Sequence, residues 1–332
     1  MNLIKTDEYS AKLRGKGIDI VNRKILISNY SGSEQEKDLT EPANCKGFGR
    51  VRHFKLRRST DWPVNPLPIV PALKYLQLPD DSEVRAQIFQ NSICNWRCWY
   101  CYVDFKLLNG DKRYSEFLSC DDLIDLYLAE NDRPLIIDLS GGQPDLTPEW
   151  IPWMMETLRN RNLEDKIFLW SDDNLSNDYF WQYLSAEQIE LVRTYQRYAR
   201  VCCFKGINEE SFIINTKSEG KLFDNQFHLF KRLFDLGIDL YGYITLTSPS
   251  ATKFENDVPV FLDKIQRIHY NLPLRIVPLK IYEFSPTKDR KDYDQQDLLT
   301  GQQKAIAIWQ NELRKRFPDN LLALPITDIP LN

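Results

Sequence analysis

From residue 85 onward, short apolar runs alternate with longer stretches in which apolar positions recur every three or four residues. The runs fall at residues 85–90, 135–140, 166–171, 200–205, 240–247 and 275–282. Their shortness and their β-branched and aromatic content predict buried strands. The stretches between them carry helix signals. Thr147-Pro148-Glu149 predicts an N-cap, a proline at the first helical position and an early acid. Ser185 with Gln188 predicts a capping box, and Gly237 predicts the stop of a helix ending near Leu236. A last helix is predicted over residues 302–317, with Ile306, Trp309 and Leu313 at helical spacing.

Six strands alternating with helices predict a parallel sheet with right-handed crossovers. Curled on itself, this is an α/β fold, a partial (β/α)6 barrel whose functional loops lie at the C-terminal ends of the strands. The barrel is expected over residues 85–318, after a small β-rich N-terminal extension (1–84) and before a tail (319–332) packed on the barrel. In the extension, residues 18–21 and 24–27 flank Asn22-Arg23 as a two-residue hairpin turn. A polar stretch at 31–42 precedes a basic one, where Lys46, Arg50, Arg52, Lys55, Arg57 and Arg58 interleave with Phe48 and Phe54. That pattern suits a site for a phosphate-bearing substrate; it suits a solvated strand face better.

Composition narrows the class. With 332 residues, 42% hydrophobic and 12% aromatic, the chain can bury a large core. Its 43 basic and 47 acidic residues nearly cancel, so no global field draws it to nucleic acid or an anionic membrane. The N-terminus MNLIKTDEYSAKLRGKG lacks a signal-peptide apolar stretch, and no run of eighteen apolar residues occurs. Seven cysteines do not form an evident disulfide framework. A soluble protein of a reducing cytoplasm, without a membrane partner, is expected. Three histidines (His53, His228, His269) leave little material for a histidine-based mechanism.

The chemistry concentrates in Cys94-Asn-Trp-Arg-Cys98-Trp-Tyr-Cys101, directly after the first run. Three thiolates at this spacing can hold three corners of an iron–sulfur cube and leave the fourth iron without a protein ligand, open for chemistry. Two other readings exist. Offsets of four and three also mark one face of a helix, which would make these plain core cysteines. A closed zinc site is the second, and needs a fourth ligand, with Cys120 and His53 the nearest candidates.

The triplet, with Tyr100 just before its last cysteine, resembles the radical S-adenosylmethionine (SAM) enzymes. The resemblance covers roughly residues 85–283. Ser140-Gly141-Gly142-Gln143-Pro144, at the end of the second run, is similar to the family's Gly-Gly-Glu-Pro element, which grips the SAM amino group; Gln143 keeps an acceptor but not the charge. Ser171-Asp172-Asp173-Asn174 ends the third run, where the family places polar residues against the SAM ribose or methionine. Cys203-Phe204-Lys205-Gly206 ends the fourth and looks like the strand of glycyl-radical activases in which a lysine meets the SAM carboxylate. That subgroup's aspartate and histidine are replaced here by Cys203 and Phe212.

The resemblance implies one [4Fe–4S] cluster on Cys94, Cys98 and Cys101, with SAM held by Tyr100, Gly141, Gly142, Gln143, Pro144, Ser171, Asn174 and Lys205. It implies reductive cleavage of SAM to methionine and a 5′-deoxyadenosyl radical that takes hydrogen from a substrate carbon. It also implies a reductant such as flavodoxin or ferredoxin. The substrate, be it small molecule, peptide or nucleotide, is not legible, and an activase-like action on a protein or peptide is the alternative. Cys45, Cys120, Cys202 and Cys203 show no second-cluster spacing. Strand alternation turns Cys203 inward with Lys205, as lumen filler or hydrogen donor, and Cys202 outward. A rival of another class is a zinc or iron–sulfur nucleic-acid-binding module using the basic stretch at 46–58.

Overall fold

The computed structural model describes residues 3–56, 61–249, 253–288, 290 and 295–331. Ten strands occur: β1 (Ile18–Asp19), β2 (Lys24–Ser28), β3 (Gly49–Phe54), β4 (Val84–Gln90), β5 (Ser115–Ser119), β6 (Ile136–Ser140), β7 (Phe168–Asp173), β8 (Tyr198–Phe204), β9 (Leu240–Thr245) and β10 (Ile276–Leu279). Seven form one curled sheet in the order β10-β9-β8-β7-β6-β4-β3. From β4 to β10 all neighbours are parallel, and β3 closes one edge antiparallel to β4. The six parallel strands are the six apolar runs, and the architecture is the partial barrel that they predict.

The strands read as continuous apolar runs because both of their faces are covered. The main helices are α1 (Thr6–Gly17), α2 (Ile69–Leu76), α3 (Cys120–Ala129), α4 (Trp150–Asn160), α5 (Tyr179–Tyr183), α6 (Ala186–Thr194), α7 (Glu209–Thr216), α8 (Leu222–Asp235), α9 (Phe254–Gln266) and α10 (Gln295–Arg316), before a short α11 (Asp319–Leu322). On the outer face Ile137, Leu139, Leu169, Phe204 and Ile244 share one core with α3, α4, α8 and α9. Phe204 stacks among Phe227, Phe230 and Phe261, with centroids 5.1–5.3 Å apart. On the inner face Ala86, Ile88, Ile136, Trp170, Val201 and Tyr241 pack on Leu67, Ile69, Ala72 and Leu73 of the α2 region and on Ile326 of the tail. The lower lumen is therefore plugged with apolar side chains, and the tail is bound to it: Lys74 pairs with Asp328 at 3.0 Å. Among the described residues no helix is long and apolar enough to cross a membrane.

Several local expectations change. Residues 6–17 are helical, which their apolar pattern conceals because the buried face is Thr6, Ser10, Leu13 and Gly17. The hairpin exists, but four residues join β1 to β2 instead of two, with Arg23 at positive φ. β2 then pairs with β5, tying the N-terminal segment to the barrel. Thr147 does not cap a helix. Its hydroxyl accepts from Asn91 Nδ2 at 2.9 Å, and α4 begins three residues later. The Ser185–Gln188 capping box and the positive φ of Gly237 are present as predicted.

The basic stretch is solvated as expected at Lys46, Arg52 and Lys55, and departs from that reading at Arg50. In β3, Arg50 lies opposite Ile88 and Arg52 opposite Ala86, so both arginines take the inner face. Arg50 is buried; Lys46 and Lys55 are exposed, while Arg57 and Arg58 lie outside the described residues.

Candidate functional site

The cysteine loop leaves the C-terminal end of β4, on the rim to which the parallel strands point. It is irregular rather than helical, which removes the helix-face reading of the triplet. Backbone bonds pin it: Cys94 N–H donates to Leu108 O at 3.1 Å and Arg97 N–H to Thr216 O at 3.1 Å. Asn95 Nδ2 donates to Ser10 and Ser176 at 2.9 and 2.8 Å. Arg290, beyond the last strand, donates to the carbonyls of Cys101 and Val103 and lies 3.7 Å from the Phe105 ring centre.

Cys94 and Cys98 are buried and Cys101 half-buried. Burial pushes both buried thiols above the ordinary cysteine value, Cys98 to about 12. Buried thiols ionise when a soft metal takes the charge. Among the described residues no three His, Cys, Asp or Glu side chains stand together at metal-ligand spacing. The donor set of one loop, three soft thiols with cationic Lys205, Arg97 and Arg290 around them, fits an iron–sulfur cube. The fourth zinc ligands considered from sequence are engaged elsewhere: His53 binds Glu41 and Glu83, and Cys120 contacts Trp150 O.

Gly141 and Gly142 follow β6 at φ +74° and +62°. A Cβ on Gly142 would sit 2.4 Å from the carbonyl oxygens of both Asn91 and Ile93, so this turn lies against the start of the cysteine loop. Gln143 N–H donates to Ile93 O at 2.7 Å. The Gln143 side chain is buried and engaged at both ends, donating to Asp173 Oδ1 at 2.8 Å and accepting from Asn174 N–H at 2.9 Å. It locks two strand ends together. Pro144 is buried and opens the short helical turn that carries Asp145.

Asn174 is brought to the loop: Nδ2 lies 3.9 Å from Cys94 Sγ and donates to Asn95 at 3.2 Å, while its buried Oδ1 has no partner. Ser171 is not; it bonds Tyr198 at 2.7 Å among the outer helices. Tyr100 is buried, its hydroxyl 3.0 Å from that of Thr245 at the end of β9. Burial alone would lower the pKa of Lys205, but Tyr100, Cys203, Cys98 and Cys101 outweigh it and hold the ammonium charged. Among the described residues that ammonium has no ion-pair partner. Cys202 joins the outer core, whereas Cys203 is half-buried and lies near Lys205 and Asp172, the inward placement expected.

Three features escape sequence reading. Arg200, fully buried, pairs with Asp145 and, at 2.9 Å, with Asp173, fastening the segment after Pro144 to the end of β7. Arg290 clamps the cysteine loop. Arg50, Asp138 and Asp172 put ionisable groups on the inner face among and above the apolar residues of the plug. Only the alternation of Arg50 with Arg52 hinted at any of these.

No family model and no curated protein matches the sequence. Solved structures do resemble it. One is Streptococcus suis SuiB bound to precursor peptide SuiA, at 16% identity and TM-score 0.48, covering 69% of this chain and 46% of that one. SuiB bound to S-adenosylmethionine gives 17% and 0.47, covering 69% and 47%. The anSMEcpe structure with bound AdoMet gives 14% and 0.44, covering 68% and 57%. The chain thus spans about half the length of these proteins.

Proposed function

We propose that this chain is a radical SAM enzyme. One observation carries the reading: the exits of four adjacent parallel strands bear, in chain order, the thiol triplet, the Gly-Gly-Gln-Pro turn, Asn174 and Lys205. Cys94, Cys98 and Cys101 would hold a [4Fe–4S] cluster with one iron free of protein ligands. When bound there, such a cluster would supply the electron for cleaving SAM to methionine and a 5′-deoxyadenosyl radical. The chain's own residues position and shield. Lys205 offers a charged donor to the SAM carboxylate, and Asn174 Oδ1 an acceptor. Gly141 and Gly142 allow close backbone approach, and Tyr100 walls the site toward β9. Gln143 shapes the turn and leaves the amino-group contact to backbone carbonyls. The apolar plug below keeps bulk water from a reactive species.

Anaerobic reconstitution with iron and sulfide tests this. About four irons per chain and dithionite-dependent 5′-deoxyadenosine are expected, and Cys98→Ala should lose both. Lys205→Ala should keep the iron and weaken SAM binding by about tenfold or more. Zinc without labile sulfide, together with salt-sensitive RNA binding, would instead favour the nucleic-acid-binding module.

A further inference from the structure

In the row of the apolar plug that carries Ile88 and Trp170, the inner face changes character. Arg50 of β3 pairs with Ile88, and Ile88 with Asp138 of β6, so a guanidinium and a carboxylate occupy one row with a single apolar residue between them. Both residues are buried, at 8% and 5% exposure. No ion pair joins them among the described residues. Arg50 donates to Tyr102 at 3.1 Å, but its Nε has no partner; nor does Asp138 Oδ1. Beside them Gln90 Nε2 and Gln35 Oε1 are also unpartnered, while the buried Tyr30 hydroxyl is turned to Arg50. Arg52, one row below and opposite Ala86, and Asp172, one row above, act on the same carboxylate.

Four orphaned polar atoms in one neighbourhood exceed what a packed core tolerates. Arg50 Nε and Gln90 Nε2 can donate, and Asp138 Oδ1 and Gln35 Oε1 can accept. An anion would answer Arg50 and Arg52 but leave Asp138 and Asp172 facing each other. A cation would do the reverse. A neutral amide would leave the buried Arg50 guanidinium without a counter-charge and Asp138 without a cation.

We infer that the row from Arg50 to Asp138 is the substrate head-group subsite, and that it takes the zwitterionic group of an α-amino acid, carboxylate toward Arg50 and ammonium toward Asp138. The inference rests on the enzyme reading above and names its substrate class. Burial, with Asp172 adding, raises the pKa of Asp138 well above the carboxyl range, so the subsite holds it as a neutral acid and an ammonium beside Oδ1 would draw it to the charged form.

Equilibrium dialysis of the full chain against a mixture of the common α-amino acids, with and without SAM, tests it. At least one amino acid should be retained. Its binding should fall by about tenfold or more in Asp138→Asn and in Arg50→Gln. The same loss is expected for its N-acetyl and carboxamide forms. Arg52→Gln, at an exposed position, should weaken binding with an unchanged melting temperature, which covers misfolding of the buried variants. Retention should persist in Cys98→Ala, so that loss of the cluster and loss of this subsite are read separately. Retention of no amino acid overturns the inference. So does equal retention by Asp138→Asn, or binding that only Lys205→Ala abolishes.

Discussion

The guanidinium of Arg290 donates to the carbonyl of Val103 at 2.6 Å, and its other arm reaches the carbonyl of Cys101. A residue that follows the last strand of the sheet thus holds the loop that follows the first parallel strand. Residues behind metal ligands typically change metal affinity by about 10–100-fold. Arg290→Ala should therefore speed iron release to a chelator by about tenfold, with Arg290→Lys intermediate. Timed chelation of reconstituted protein measures it, and unchanged release would show the clamp to be dispensable.

Gln143→Glu would restore the acid of the Gly-Gly-Glu-Pro element, yet it should harm this protein. The new carboxylate would face Asp173 Oδ1, now 2.8 Å from the amide nitrogen it replaces. Losing that donor between buried groups costs about 1–3 kcal/mol. The pair would share a proton, so one folded-state pKa rises above its unfolded value. The penalty is then present at neutral pH and relieved as pH falls. Melting temperatures of variant and parent should converge between pH 8 and pH 5.

Gly142 and Gly237 separate two costs. Both sit at positive φ, but a Cβ at Gly237 meets nothing within 4 Å, whereas at Gly142 it strikes two backbone carbonyls. Gly237→Ala should cost about 1 kcal/mol from conformation alone. Gly142→Ala should cost about 3 kcal/mol or more, because backbone cannot step aside. Urea denaturation compares them, and SAM binding should fail only in the second.

Two buried carboxyls share Arg200. Burial pushes Asp145 up to about 7 against the pull of Arg200, with Asp173 adding to the rise. A carboxyl raised above its unfolded value of about 3.9 stabilises most below that value, and the contribution is lost as pH rises toward 7. Asp145→Asn removes this titration. Its stability curve should be flatter than the parent's between pH 4 and pH 7; parallel curves would count against the assignment.

The thiol triplet, the glycine turn and the lysine were legible because each is a local pattern at a strand exit. The strands themselves were legible within a few residues, since burial on both faces writes an apolar run: 166–171 was expected where β7 spans Phe168–Asp173. Helix α1 was not, because its buried side is mostly small and polar. The role of Gln143 was misread for a similar reason. Its neighbours at 173 and 174 come from the next strand, and only assembly shows that both ends of the amide are taken.

Sequence by itself determined the parallel strands of the barrel core and the motifs at their exits, because periodicity and motif spacing are properties of neighbouring positions. Tertiary structure alone decided how those residues are held and what faces them. Arg50 meets Tyr102, Asp145 meets Arg200, and Arg290 meets Cys101 across 52, 55 and 189 positions of chain. Contacts at such separation arise from the curl of the sheet, which brings distant strand ends to one rim and leaves no trace in local pattern.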